Sequence, residues 1–276
     1  MEYLKYKTIF DRHLKIDNIT NFVKTLVKST DAANRLMSSF KVFSLKDRIA
    51  TQYLTSINIK LGDALEDIFK EYLKEQGVVF LPRNFVAGKD CDQIFQYNGT
   101  TFLIEQKIRD DHDSSKKIGQ AENYTDKKSI IQKQTNNNCY CCCWFIDPDF
   151  TKNKNYYISV LSTEEVYYGR EIEYFLREKV FHDNRCNNFF QELNNSIERY
   201  TNEFSIFDTS NLTIDYHNFT TTELYRLLKF KSHINTVATI FFNNNIPFQE
   251  IYNYISKRSR VDCTEDFKKL LKEYMQ

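Results

Sequence analysis

Glycine and proline are scarce in this chain, with six Gly and three Pro among 276 residues. A turn-rich β-sandwich needs more of both, so helices should dominate. Long apolar runs are also missing: none reaches the roughly 18 residues that a membrane-crossing helix requires. The opening stretch MEYLKYKTIFDRHLKI mixes Glu, Lys, Asp and Arg among its apolar residues and has no signal-peptide core. A cytoplasmic protein with no membrane partner is expected. An excess of one charge sign is lacking too, since 38 Lys+Arg face 37 Asp+Glu for a net charge of +1. That excludes a globally basic coat for nucleic acid and leaves room for a local basic groove. The 15% aromatic content argues against disorder.

Seven cysteines are present, an odd number, and four crowd together as Cys139, Cys141, Cys142 and Cys143. This argues against a secreted disulfide framework. A structural zinc site fails on spacing, because the separated ligand pairs it needs are not there. The run CYCCCWFI, flanked by Asn136-Asn137-Asn138 and Asp147-Pro148, reads as a buried strand that uses Cys as a small hydrophobe.

Residues 2–60 read as several helices, with Asp17 and Ser44 as N-caps and Leu26, Ala33, Leu36 and Phe40 at helical spacing. Gly62 is expected to open an amphipathic helix with the stripe Leu65, Ile68, Phe69, Tyr72 and Leu73, and Gly77 to close it. A short strand follows over 78–82. Asn98-Gly99 between two β-rich runs predicts a hairpin over 91–108. A helix is expected over 115–135, capped by Ser114 or Ser115, then strands over 139–146 and Tyr156–Leu161. From 163 onward the pattern is helical, over 163–181, 185–203, 220–231, 233–243, 247–259 and 264–275. Three regions emerge: an N-terminal helical region (1–61), a core with a small sheet (62–162) and a C-terminal helical region (163–276). Together they should make one compact unit.

The chemistry concentrates in GKDCDQIFQYNGTTFLIEQKIRDDHD, residues 88–113. Strand alternation puts Leu103, Glu105 and Lys107 on one face, and Phe102, Ile104, Gln106 and Ile108 on the other. The hairpin brings Asp90 or Asp92 beside Glu105. Asp92 is preferred because it leads into the apolar Gln93-Ile94-Phe95 run. Two carboxylates and a backbone oxygen suit Mg²⁺. A neighbouring lysine can hold or deprotonate water, which is equipment for hydrolysing a phosphodiester. Phe102-Leu103-Ile104 leading into Glu105 marks a buried strand, where a Glu–Lys pair is costly without a purpose.

The set Asp92, Glu105, Gln106 and Lys107 resembles the PD-(D/E)xK nuclease superfamily, which includes most type II restriction endonucleases. The order helix, strand, hairpin, helix, strand over about 60–147 is similar to that family's core. No proline precedes the motif aspartate; Cys91 stands there instead. The resemblance implies an α/β (α+β) restriction-endonuclease-like fold, with a small mixed sheet flanked by helices and large helical additions. It implies Asp92, Glu105 and the Gln106 carbonyl as metal ligands, Lys107 as the water-handling group, and Glu66 as an extra acidic residue on the first helix. Mg²⁺ is the implied cofactor, with Mn²⁺ able to substitute. The segment RDDHDSSKKIGQ further resembles a HinfI-like group. The Gln120-xxx-Tyr124 pair is similar to one that supports the site or contacts the DNA backbone in some branches of the superfamily. No Walker A sequence occurs, so ATP is not expected.

The implied partner is double-stranded DNA, cut by a homodimer at a short site, with a cognate DNA methyltransferase in the same system but not bound. Lys116 and Lys117 at the start of the 115–135 helix suit phosphate. Lys257, Arg258 and Arg260 cluster in a locally basic C-terminal region and are candidates for DNA contact. Alternative readings are a DNA repair or junction-resolving nuclease of the same fold, or a non-catalytic helical DNA-binding protein.

Overall fold

A computed structural model describes residues 1–15, 19–37, 44–203, 213–231, 234–258, 261 and 263–276. Asp17, Phe40 and Arg260 lie outside the described residues. In chain order the elements begin with helices α1 (Tyr3–Leu14), α2 (Ile19–Leu26), α3 (Thr30–Met37) and α4 (Leu45–Glu75). Strand β1 (Val79–Phe80), the hairpin β2 (Gln93–Tyr97) and β3 (Thr100–Lys107), helix α5 (Ser114–Gln134) and strand β4 (Cys139–Phe145) follow. Next come α6 (Lys154–Leu161), β5 (Val166–Tyr168), α7 (Glu171–Phe175), continued as a π-helical turn over Leu176–Phe181, and α8 (Phe189–Glu203). Last are α9 (Thr221–Leu228), α10 (Ile234–Phe241), α11 (Phe248–Ser256) and α12 (Thr264–Met275).

The chain divides into two compact units. One comprises Met1–Leu14 and Lys60–Phe204, the other Lys15–Ile59 and Ser205–Gln276. The 62–162 segment lies wholly within the first unit, whereas the residues of 1–61 and 163–276 are shared between the two. No helix of the described residues is long and apolar enough to cross a membrane.

The first unit is an α/β layer structure built on a mixed five-stranded sheet of order β1-β2-β3-β4-β5. β1, β2 and β3 run antiparallel, while β4 and β5 continue in parallel. Asn98 and Gly99 make the two-residue hairpin turn with φ of 48° and 78°, a left-handed pair that Asn-Gly adopts at low cost. The register pairs Gln93 with Ile104 and Glu105 with Cys143. One sheet face carries Ile94, Leu103, Cys141, Cys143, Phe145 and Tyr168 against Ala121, Tyr124 and Ile131 of α5 and Tyr157 of α6. Aromatic side chains occupy the other face: the Phe69 ring of α4 lies 4.9 Å from Trp144 and 5.2 Å from Phe189 of α8. Burial on both faces explains why β4 reads as a continuous apolar run. Its cysteines are free, and Cys141, Cys142 and Cys143 are buried.

Several elements depart from the sequence reading. Gly62 does not open a helix but sits inside α4. A Cβ there would meet only Ile108 Cδ1 at 3.7 Å, so the helix passes through without obstruction. Tyr156–Leu161 is helical, not a strand. Its β-branched and aromatic content suggests a strand, but Tyr157 and Leu161, four apart, are the residues that bury against the core. The fifth strand is Val166–Tyr168, inside the stretch read as helix 163–181. Three residues buried on both faces give no periodicity to read. Helix α5 is capped by Asp113, not by Ser114 or Ser115: the Asp113 carboxylate accepts from Lys116 N at 2.8 Å.

The second unit is helical among its described residues. Val23, Val27, Ala33, Leu36, Leu45 and Ile49 pack with Leu224, Leu227, Val237, Phe241, Ile251, Ile255, Phe267 and Leu271 into one core. Thr220 and Glu223 form a reciprocal capping box at the start of α9. The aromatic residues Phe241 and Phe267 are fully buried core, so these rings are not base-stacking platforms.

Candidate active site

The candidate site lies at the C-terminal end of β3, which stays hydrogen-bonded to the chain after β4 through Ile146 N to Lys107 O and Asp147 N to Ile108 O. Asp92 stands just before β2 and Glu105 near the end of β3, so the hairpin register places them side by side. Asp92 Oδ2 accepts from Gln106 N at 2.8 Å, which fixes the carboxylate to the neighbouring strand. Lys107 follows Glu105 on the same strand face, and its ammonium donates to three oxygens at once. These are Asp92 Oδ2 at 2.9 Å, Glu105 Oε1 at 3.1 Å and the Gln106 carbonyl at 2.9 Å. Burial works against the Lys107 charge, but the two carboxylates outweigh it and hold the pKa above the usual lysine range.

Two carboxylate oxygens and a carbonyl thus converge on one cation. This tests whether a divalent metal suits the residues, and the donor chemistry fits: all three atoms are hard oxygens. Among the described residues no three His, Cys, Asp or Glu side chains gather into a metal cluster. A cation here would take two side chains and one backbone oxygen from the protein, the sparse protein shell typical of Mg²⁺.

Glu66 extends from α4 toward the same cluster. Burial, reinforced by the Asp92 charge, raises its carboxyl pKa to about 7, with Arg83 and Lys107 pulling the other way. The Arg83 guanidinium donates to Glu66 Oε2 at 3.1 Å. Helix α4 is tied to the sheet at this level by Gln93, whose amide donates to Glu66 O at 2.8 Å and to Gln106 Oε1 at 3.2 Å.

The structure brings Asp92, Glu105, Gln106 and Lys107 together, with Glu66 at the edge of the group. Asp90 lies apart on an exposed loop position and makes no contact with this group among the described hydrogen bonds. Gln120 lines a cavity of about 140 Å³ with Glu105, Lys107, Asn123, Cys143, Phe145 and Tyr157. The Gln120 amide bridges Tyr157 OH, at 3.0 Å, and His112 Nε2, at 3.3 Å. Tyr124 is only 1% exposed, and its hydroxyl donates to Glu165 at 3.1 Å, so it packs the core rather than an outward surface. Lys116 is exposed, and Lys117 lies 4.6 Å over the Tyr156 ring. In the other unit Lys257 is exposed, whereas Arg258 donates to Phe219 O at 2.8 Å and stacks on Tyr254.

Three features escaped the sequence reading. Lys127 of α5 is buried and donates to Glu105 Oε2 at 2.7 Å. Its signal was the helical repeat Gln120, Tyr124, Lys127, which puts it on the inward face. Arg83 sits in a loop with no periodicity to mark it. The third is Asp110, fully buried after β3, which accepts from Asn153 N, Asn153 Nδ2 and Tyr168 OH. It anchors the loop between Lys107 and α5.

Residues 82–184 match the family model "Type II restriction endonuclease, HinfI". The matched stretch contains β2 to β5, α5, Asp92, Glu105 and Lys107. The match supports a HinfI-like restriction endonuclease of the PD-(D/E)xK type. No curated protein and no solved structure matches it significantly. That family implies DNA endonuclease activity and DNA binding, and type II enzymes generally use a divalent metal. The five-stranded mixed sheet and its flanking helices agree with this type of fold.

Proposed function

We propose that this HinfI-like chain makes Mg²⁺-dependent double-strand cuts in DNA at a short specific sequence, by hydrolysing one phosphodiester in each strand. The observation that carries the reading is the convergence of Asp92 Oδ2, Glu105 Oε1 and the Gln106 carbonyl on a single cationic point, the Lys107 ammonium. Asp92, Glu105 and the Gln106 carbonyl would hold Mg²⁺, or Mn²⁺ in its place. When bound, the ion supplies Lewis acidity that favours ionisation of water and offsets phosphate charge. Lys107 orients or deprotonates the attacking water. Glu66, at the edge of the same cluster, would hold a second water or a second cation. Lys116 and Lys117 contact backbone phosphates at the start of α5, and Gln120 supports the site from behind. Lys257, Arg258 and Arg260 contribute DNA contacts from the other unit. The products carry 5′-phosphate and 3′-hydroxyl ends.

The enzyme would act as a cytoplasmic homodimer, because a two-fold assembly presents two such sites to the two strands of a symmetric sequence. A DNA methyltransferase of matching specificity would protect the host genome without binding the nuclease. The test is digestion of phage DNA in Mg²⁺ by the native protein, Asp92→Ala and Lys107→Ala, with sequencing of the ends. Fixed cut positions in plain duplex are expected from the native protein, and at least roughly 100-fold slower cutting from each variant. Unchanged cutting by either folded variant would sink this site assignment. Cleavage confined to branched or damaged DNA would instead indicate a repair or junction-resolving enzyme.

A further inference from the structure

The proposed mechanism uses one oxygen of Glu105 and leaves the other to a lysine that it does not need. Lys127 Nζ lies 2.7 Å from Glu105 Oε2, with the two side chains 4% and 9% exposed. Lys107 Nζ lies 3.1 Å from Glu105 Oε1. Each carboxylate oxygen therefore faces its own ammonium, one from β3 and one from α5. The two lysines differ in setting. Lys107 is about one-third exposed at the open end of the strand, whereas Lys127 is enclosed between α5 and the sheet. An ammonium in so dry a place is costly to bury, and its single partner here is this carboxylate. As a stability device the pair is poor. As an orienting device it is effective, because α5 is a rigid 21-residue helix and β3 is held on both sides.

We propose that Lys127 is a positioning residue. It clamps Glu105 through Oε2, so that only Oε1 is presented to a cation, and it adds a fixed positive charge behind the site. The inference rests on the nuclease reading above. Its consequence is a trade: the clamp aligns the carboxylate for the reaction but repels any incoming divalent ion. In the DNA-free protein the charges of Asp92 and Glu105 are already balanced by Lys107 and Lys127. A metal ion should therefore bind weakly until a phosphate arrives with further negative charge.

Lys127→Met keeps the length and apolar stem of the side chain and removes the charge. It should bind Mn²⁺ alone roughly tenfold more tightly in calorimetric titration of the DNA-free protein, since one repulsive charge is gone. Its kcat on phage DNA should fall by at least about tenfold, since the carboxylate is free to turn. Lys127→Arg should leave the Mn²⁺ affinity near that of the native protein. Mere destabilisation would weaken binding and turnover together, so the opposite movement is the signature. Should Lys127→Met fail to fold, Lys127→Gln carries the same comparison. Equal or weaker Mn²⁺ binding by a folded, uncharged variant overturns the proposal, as does cutting at the native rate. If the native protein cuts no DNA, the nuclease reading falls, and the Mn²⁺ titration still decides the role of Lys127.

Discussion

Asp110 offers the sharpest test of how the loop after β3 is held. Its carboxylate is 0% exposed and meets no cation in its hydrogen bonds; three donors satisfy it instead. Asn153 N lies at 2.7 Å, Asn153 Nδ2 at 2.8 Å and Tyr168 OH at 2.9 Å. Tyr168→Phe removes one hydrogen bond to a charged acceptor and leaves Asp110 with two, so the expected loss is about 2 kcal/mol. Asp110→Ala strands Asn153 N and the Tyr168 hydroxyl, while Asn153 Nδ2 keeps its weaker bond to His112 O at 3.2 Å. Two buried donors without acceptors cost about 4 kcal/mol. In the double variant the Tyr168 hydroxyl is gone, so only one donor is stranded. Its total should fall to about 2 kcal/mol, well below the sum of about 6 kcal/mol for the two single changes. The assay is urea unfolding followed by tryptophan fluorescence. Trp144 is the sole tryptophan, buried in β4 of the same unit, and reports on this region alone. Additivity of the two single changes to within about 0.5 kcal/mol would refute the direct bond.

Two further tests follow from the backbone and from a buried acid. Gly169 has φ of +49°, and a Cβ there would lie 2.8 Å from Pro148 Cβ, so Gly169→Ala should cost more than about 2 kcal/mol. Gly62→Ala, in mid-helix with space around it, should stabilise by about 0.5–1 kcal/mol, and the two urea midpoints should move in opposite directions. Burial raises the Glu173 pKa above its ordinary 4.5, despite the Phe190 N–H and Arg170 nearby. A raised folded pKa means stability that is full at low pH and lost as pH rises through the folded value. The stability of the native protein relative to Glu173→Gln should therefore decline as pH rises above 4.5, and a constant or growing advantage would contradict this.

The hairpin and the grouping of its charged side chains were legible because they depend on local signals. Asn98-Gly99 dictates a turn, the turn fixes the register, and the register brings Asp92 to Glu105 and Lys107. The cysteine strand was legible for a similar reason: a run buried on both faces is continuous in sequence. What stayed hidden depends on neighbours distant in the chain. Tyr156–Leu161 has strand composition, yet Tyr157 and Leu161 meet the sheet as a helix does. Val166–Tyr168 pairs with Cys143–Phe145, a partner that its own three residues cannot announce. The Asp113 cap was missed by one position because Asp113, Ser114 and Ser115 are all competent caps. Lys127 shares the helical face of Gln120 and Tyr124, but its contact with Glu105 follows only from the packing of α5 on the sheet.

The cysteines of β4 give the molecule a built-in chemical clock. Cys141, Cys142 and Cys143 are buried, and that burial pushes their thiols well above the usual range, so little reactive thiolate exists at neutral pH. Cys141 and Cys143 share with Leu103 the sheet face that α5 and Tyr157 cover, the face of Glu105, so a reagent reaches them when that cover lifts. The rate at which a thiol reagent labels them therefore measures how often α5 unpacks from β3 and β4 in the native protein. Tightening that packing, by DNA or a metal ion, would slow the clock without any probe being added to the chain.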